Sequence, residues 1–585
     1  MSDLRSDGRR RLSAIPLAAA RRWLVPDAAT GIGTRAVAAL AAASALGVCA
    51  YFWFIEGGLS DSVFAVAVSF AIGAAVVLAS RRLLVAALLV PALIAFVRTI
   101  AEARQHASEV LLHAWDVVTF VTSPMAALAL SMDHPQLSLT ILAALIATAL
   151  AAYIAWRLDG LRVSRLHAAG ALALFAAMAI AGSAARGERR HTEFYFEFAY
   201  VTFFYASWSE TVAALARGTM IEAAQPTRAL APFPPPAACA PPGRLPHIIL
   251  IHQESVVPPE YFPTLGYDRS LDAFFRSHDG RLNKLRVETY GGASWLTEFS
   301  LLTGLSSQAF GGMRQYLQHV MAGKIADTLP QSLARCGYRN LFFYPMLKGF
   351  LGSARFFEAV GLGEIFDARA QGAKNANERD RFYYANALGE IGQHVHHNRQ
   401  PLFIYLQTMA AHGPYDYAYA PEAGFAGGAP GTHPEMSEYL RRLAMARADY
   451  AYLRAELARR FPREQFLIVH YGDHQPTATQ SLLGFGEDAS IEDIVARGRD
   501  APRMTYYALD GVRYRPPPLP GLDTLDIPYL GTVILEAAGV PLSDAHRERR
   551  RLMQLCAGRY QDCPAREEIL RFHRRLIDSG LMKAM

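Results

Sequence analysis

Apolar positions follow two regimes along this chain. In the first 190 residues they form five long runs, at 36–55, 63–80, 83–97, 137–156 and 168–185. Each is roughly long enough to cross about 30 Å of hydrocarbon as a helix, although 83–97 needs its flanks. Five such runs so close together exceed what the buried helices of a soluble core would supply, so residues 35–186 read as a five-span transmembrane domain. A further segment, 113–132, is interrupted by Asp116 and Pro124. It is either a poor span or a helix on the surface, and the breaks favour the surface. From residue 247 the apolar runs shorten and alternate with helical patterns. Strands are expected at 248–251, 340–344, 402–407, 466–470 and 505–509, and helices at 294–303, 325–336, 381–396, 436–460 and 527–538. That alternation predicts an α/β domain over 247–585, with a central, mostly parallel sheet covered by helices on both faces.

Between the two regimes, residues 187–225 carry a dense aromatic stretch that includes Phe194, Tyr195, Phe196, Phe198, Tyr200, Phe203, Phe204, Tyr205 and Trp208. It suits a juxtamembrane helix at the membrane–water interface, or one packed beneath the following domain. Residues 226–246 are proline-rich and read as a semi-rigid linker and domain boundary. The tail from Arg547 onward reads as charged amphipathic helices on the surface.

Charge adds an orientation. Arg81 and Arg82 lie between the second and third runs, and Arg157, Arg162 and Arg165 between the fourth and fifth. Together with the arginine-rich segment 1–34 they mark the cytoplasmic side, which Arg186, Arg189 and Arg190 oppose only weakly. Five crossings then carry everything after 186 outward. The expectation is a multi-pass protein of the inner (cytoplasmic) membrane with a periplasmic or otherwise extracytoplasmic catalytic domain. The net charge of +6 is not gathered into a basic stripe with interleaved aromatics, which excludes nucleic acid as a partner. Of five cysteines, Cys49 lies in a span; Cys556 and Cys563 are close enough for a disulfide, or both remain thiols. His394, His396 and His397 end an expected helix, where they interact with its C-terminus rather than with a metal.

Functional groups in such sheets gather beyond the carboxyl ends of the strands. Glu254 follows the first strand there, His412 the strand at 402–407, and Asp473 and His474 the strand at 466–470. The stretch Tyr290-Gly291-Gly292-Ala293-Ser294-Trp295 reads as a tight turn that delivers Ser294 to a helix N-terminus, where free N–H groups favour a phosphoryl anion. An ordinary N-cap serine would give the same pattern. Carboxylates and an imidazole, completed by a hydroxyl, can hold a divalent cation. Thr297, one turn on, is the rival nucleophile.

The order of segments 249–255, 291–304, His412-Gly413-Pro414 and Gly472-Asp473-His474 resembles the sulfatase-like branch of the alkaline phosphatase superfamily. With five spans ahead of an outward domain, it is similar to the lipoteichoic acid synthases and membrane phosphoglycerol transferases. The resemblance implies one divalent ion, Mn²⁺ or Mg²⁺ in preference to Zn²⁺, held by Glu254, Ser294, Asp473 and His474. It implies Ser294 as covalent nucleophile, His412 as a catalytic and substrate-binding residue, and Trp295 and Arg355 as substrate contacts. The implied reaction moves a phospho-alcohol headgroup, phosphoglycerol first, from a membrane phospholipid to an envelope glycan or glycolipid. A phosphoethanolamine transferase, a phosphodiesterase and a non-catalytic sensor or scaffold are the alternatives, and the oligomeric state is left open. Three departures stand out. The family has threonine at the nucleophile position. Its Trp-Asn-Arg motif is absent near 350–357, where Leu351-Gly352-Ser353 and Arg355 stand instead. The segment from Ser294 also lacks the x-Pro-x-Arg that sulfatases need to make formylglycine, which argues against sulfate-ester hydrolysis.

Overall fold

The fold is described from a computed structural model. It covers residues 32–584 apart from 58, 109–110, 123–131, 133–134, 187–198, 226–230, 242, 350–352, 376, 487–488, 490 and 519–520. The basic segment 1–31 and much of the aromatic stretch therefore lie outside the described residues. The chain divides into two compact units, the break falling inside the Tyr200–Arg217 helix, after Ser209.

In the first unit five helices, Thr34–Glu56, Asp61–Ser80, Leu83–His106, Ser138–Leu158 and Arg165–Ala184, are long and apolar enough to cross a membrane. Large apolar side chains such as Leu46, Phe54, Ile146, Leu166 and Ile180 point outward, as a hydrocarbon solvent requires. One end of the unit gathers the start of the first helix and two connections. Ile32 N–H donates to the Leu158 carbonyl (2.7 Å), Val163 N–H to the Arg81 carbonyl (3.1 Å) and Leu84 N–H to Asp159 Oδ2 (2.8 Å). The arginine-bearing connections thus share an end, as the charge pattern requires. The described part of the interrupted segment, Ala114–Thr122, is a nine-residue helix. At 1.5 Å per residue it is roughly 14 Å long, too short to cross a bilayer. Glu56 caps the Tyr200–Arg217 helix, accepting from Val201 N–H (2.8 Å) and Thr202 N–H (2.9 Å).

The second unit is built on an eight-stranded sheet of order β4-β3-β5-β1-β6-β7-β2-β8. The strands are β1 His247–Gln253, β2 Asn283–Arg286, β3 Arg339–Phe343, β4 Glu364–Phe366, β5 Leu402–Gln407, β6 Phe466–Gly472, β7 Met504–Val512 and β8 Thr524–Asp526. Five of the seven pairings are parallel; β6–β7 and β2–β7 are antiparallel. Every residue of β1 is buried, as a central strand with both faces covered demands. The Asp380–His397 and Pro434–Arg460 helices contribute Leu388, Ile391, Leu443 and Leu453 to the main core, while the Ser294–Thr303 helix packs on Ile527–Ala537.

Three expectations need correction. The helix expected at 325–336 begins only at Leu329, because Asp327 takes a positive φ and Thr328 caps the helix in a reciprocal box with Gln331. The segment 226–246 was expected to be a linker, but its described part is fastened along the second unit. Cys239 is disulfide-bonded to Cys336, and the Phe233 ring lies against Phe572 (6.1 Å) beneath the Arg575 guanidinium (3.8 Å). Proline content sets stiffness but cannot reveal an anchor. The tail helices Asp544–Leu555 and Arg566–Asp578 are amphipathic, yet they bury His546, Arg549 and His573. Arg549 Nε donates to the Gly304 carbonyl (3.0 Å), closing the C-terminus of the Ser294–Thr303 helix. Cys556 and Cys563 are joined in a disulfide.

Candidate active site

β1 and β6 run parallel in register, with Gln253 opposite Gly472. The next residues, Glu254 and Asp473, therefore emerge side by side at the carboxyl edge of the sheet. Gly472 has no alternative there, since a Cβ would fall 1.9 Å from the Val256 carbonyl oxygen. Two non-glycine residues at this edge adopt the left-handed region, Ser255 at φ 58° and Ala293 at φ 62°. Such conformations cost about 1–3 kcal/mol each and persist where the surroundings enforce them. At Ser255 the turn aims its N–H at Asp473 Oδ1 (2.8 Å) and its hydroxyl at Glu254 Oε1 (2.9 Å). At Ala293 it places Ser294 first in the Ser294–Thr303 helix.

The remaining oxygens converge. Glu254 Oε2 accepts from Ser294 Oγ at 3.2 Å, and Glu254 Oε1 lies 3.2 Å from His474 Nε2. Asp473 Oδ2 lies 3.3 Å from His474 Nε2 and 3.1 Å from the Nε2 of a second imidazole, His252. That second nitrogen is also 3.6 Å from Glu254 Oε2. Asp473 and His252 are at most 1% exposed. His252 Nε2, Asp473 Oδ2 and His474 Nε2 nevertheless make no hydrogen bond, although all three are buried. Orphaned buried polar atoms gathered this closely are the donor pattern of a cation site. Two carboxylates, two imidazoles and a hydroxyl fit a divalent ion.

The protonation pattern agrees. Burial works against ionising Glu254, but the His252 and His474 imidazoles close to its carboxylate outweigh it and hold the carboxyl well below its usual range. Burial likewise opposes a proton on His252, yet the Asp473 carboxylate holds that imidazole well above its ordinary value. His474 is burdened by the same burial and is raised to about 9 by Asp473 and Glu254. A divalent ion would take the place of these protons.

The structure thus brings together Glu254, Ser294, Asp473 and His474. His412 is exposed beside them, within electrostatic reach of Glu254, with Nδ1 2.6 Å from the Gly413 carbonyl oxygen. Trp295 is buried, 8% exposed, and its carbonyl accepts from Gln318 Nε2 (3.5 Å). Arg355 is exposed on the Ala354–Ala359 helix, and no hydrogen bond or ion pair ties it to the cluster. Residues 350–352, beside it, lie outside the described residues. Sequence reasoning missed His252, whose signal was its place two residues before Glu254 on a strand and hence on the same face. It also missed the surroundings of His252. Tyr405 and Tyr471 hydroxyls lie 3.2 and 3.1 Å from its Nδ1, and Glu298 Oε1 lies at 3.9 Å. Glu298 is held by Gln318 (2.8 Å) and Gln407, and burial raises its carboxyl.

With this geometry in place, comparison with known proteins gives the following. Residues 248–497 match the family model described as Sulfatase. An uncharacterized protein of Haemophilus influenzae is 22% identical over 339 residues, 54% of this chain and 58% of that protein. The match therefore spans less than two thirds of that relative's length. Similar solved structures include the lipoteichoic acid synthase LtaP from Listeria monocytogenes, at 15% identity and TM-score 0.38, covering 51% of this chain and 73% of that one. The Streptococcus pyogenes phosphoglycerol transferase GacH in complex with sn-glycerol-1-phosphate is 16% identical, with TM-score 0.44 and coverage of 58% and 87%. The lipooligosaccharide phosphoethanolamine transferase EptA from Neisseria meningitidis is 12% identical, with TM-score 0.42 and coverage of 86% and 97%.

Proposed function

We infer the function of this chain from one premise: residues 248–497 match the Sulfatase family model and stand behind five helices long and apolar enough to cross a membrane. We propose that the chain is a metal-dependent transferase. It moves a phospho-alcohol headgroup, phosphoglycerol first, from a membrane phospholipid to an envelope glycan or glycolipid through a covalent Ser294 intermediate. The observation that carries this reading is the bond from Ser294 Oγ to Glu254 Oε2, which puts a helix-start hydroxyl on the edge of a buried cation site.

A divalent ion held there would lower the pKa of the serine hydroxyl and offset charge building on phosphorus. Glu254, Asp473, His474 and Ser294 would hold it, with His252 at hand. The second imidazole moves the donor set away from the oxygen-only preference of Mg²⁺ and toward Mn²⁺ or Zn²⁺. Ser294 Oγ gives its proton to Glu254 Oε2, which already accepts its hydrogen bond, and attacks phosphorus, forming one P–O bond as the bond to the diacylglycerol oxygen breaks; that oxygen takes a proton from His412. An acceptor hydroxyl then displaces Ser294 in the reverse sense. The backbone N–H groups that open the Ser294–Thr303 helix supply donors for phosphoryl oxygens.

A lipid donor gives the helices ahead of the domain a purpose. Both disulfides lie in the second unit, which supports an extracytoplasmic location. A complete Glu254, Ser294, Asp473 and His474 set favours turnover over a scaffold role. Intact-mass analysis after incubation with phosphatidylglycerol, and separately with phosphatidylethanolamine, tests the reading. A phosphoglycerol adduct is expected, an ethanolamine adduct would change the headgroup, and no adduct with either lipid would remove the covalent mechanism.

A further inference from the structure

One of the largest fully buried side chains among the described residues of the second unit is a cation outside the metal cluster. Arg442, in the Pro434–Arg460 helix, is 0% exposed. A guanidinium pays a steep desolvation penalty unless its donors are all used. Nε donates to Glu438 Oε1 (2.7 Å), Nη1 to the His412 carbonyl (2.5 Å), and Nη2 to the carbonyls of Pro414 (2.9 Å) and Tyr417 (3.3 Å). The rings of Tyr415, Tyr417 and Tyr419 surround it with centroids 5.0, 5.0 and 5.2 Å from Cζ. Glu438 completes the wrap by accepting from Tyr419 N–H (2.9 Å).

All three carbonyls that Arg442 engages belong to one irregular loop, and the first is that of His412. A cation needed only for the core would be answered by the helices and strands around it. Here the helix supplies Arg442 and Glu438, and the loop supplies everything else. We propose that Arg442 is a positioning residue that fixes the 412–419 loop and so sets where the His412 imidazole stands over the site. The role rests on the proposed function of His412. Arg442 acts through the main chain and does not touch substrate.

The test uses the full chain in detergent with Arg442→Met and Arg442→Lys. Amide hydrogen exchange across 411–419 should quicken at least about tenfold in Arg442→Met, and kcat on phosphatidylglycerol in mixed micelles should fall about 100-fold, the cost of an ångström-scale misplacement. KM and bound metal should change little. Arg442→Lys keeps the buried charge and a single donor nitrogen in place of three, and should recover part of both losses; it also carries the test if the methionine variant does not fold. Unchanged exchange in 411–419, or faster exchange with wild-type kcat, overturns the proposal. Wild-type kcat in His412→Ala would instead overturn the reading of His412, a failure told apart because exchange does not involve turnover.

Discussion

Thr297 donates its hydroxyl to the main-chain carbonyl of Asp473 across 2.9 Å, with its side chain wholly buried. Three residues earlier on the same helix face, Ser294 points its hydroxyl at Glu254 Oε2 instead. One hydroxyl closes a backbone bond and the other reaches the buried carboxylate of the candidate site. Ser294→Ala should therefore abolish turnover in a folded protein, and Ser294→Thr should retain some. Thr297→Val leaves the Asp473 carbonyl unpaired, a loss of about 1–3 kcal/mol in stability, but keeps the adduct. Peptide mapping of the trapped intermediate decides between them, and an adduct on Thr297 would refute the assignment.

Metal affinity should report His252. Its Nε2 faces Asp473 Oδ2 at 3.1 Å, and Tyr405, Tyr471 and Glu298 surround its Nδ1. Losing a partner that orients a ligand weakens metal binding about 10–100-fold. Glu298→Gln should fall in that range and His252→Ala at or beyond it, while Asp473→Ala should empty the site. Titration of the metal-stripped protein with Mn²⁺ and Zn²⁺ checks this, and wild-type affinity in His252→Ala would exclude the imidazole from the site.

How much of this was legible in the sequence depended on whether the signal was local. The five expected strands all form, and the Ser294–Thr303 helix has the bounds its pattern implied, because a fully buried strand and a glycine-bounded helix carry their signatures in adjacent residues. β2, β4 and β8 were missed, since strands of three or four residues leave no period to read. The site was legible where residues end strands, as Glu254 and Asp473 do. It was not where a residue hides inside one: His252 passes for the end of an apolar run until β6 is laid beside β1. The Cys239–Cys336 bond joins positions 97 apart, which no spacing rule reaches.

Stability should respond to pH through Asp380. Its Oδ1 accepts from Met409 N–H (3.3 Å) and Ala410 N–H (3.0 Å), at the root of the His412 loop. Burial, with Asp449 nearby, pushes its carboxyl up to about 7. The folded state thus holds a proton that the unfolded chain has already lost above about pH 4. Unfolding releases that proton, so this contribution to stability is full below about pH 4 and declines as pH rises toward 7, by at most about 1.4 kcal/mol per pH unit. Asp380→Asn keeps an acceptor and cannot titrate. Denaturation midpoints from pH 4.5 to 7.5, values chosen to bracket about one carboxyl titration, should show wild type losing ground against Asp380→Asn as pH rises. Parallel curves would show that Asp380 is ionised throughout.

The orientation of the chain in the membrane can be decided at two positions. Ile32, the Arg81–Arg82 connection and the Asp159–Val163 connection meet at one end of the first unit through Ile32 to Leu158, Val163 to Arg81 and Leu84 to Asp159 bonds. We propose, from the arginines gathered there, that this end stays in the cytoplasm. An odd number of crossings then sends the second unit outward, and the two disulfides there need an oxidising compartment to form. A reporter fused at residue 160 should therefore read cytoplasmic and one fused after residue 240 extracytoplasmic. Cys336→Ser offers an independent check. It opens a closure between residues 97 apart, which should cost about 2–5 kcal/mol when the protein is made through its native membrane. The same substitution should cost nothing in protein made in a reducing cytosol, where the bond never forms. Reporters on the same side, or a Cys336→Ser variant as stable as wild type in protein made through its native membrane, would overturn the five-crossing orientation.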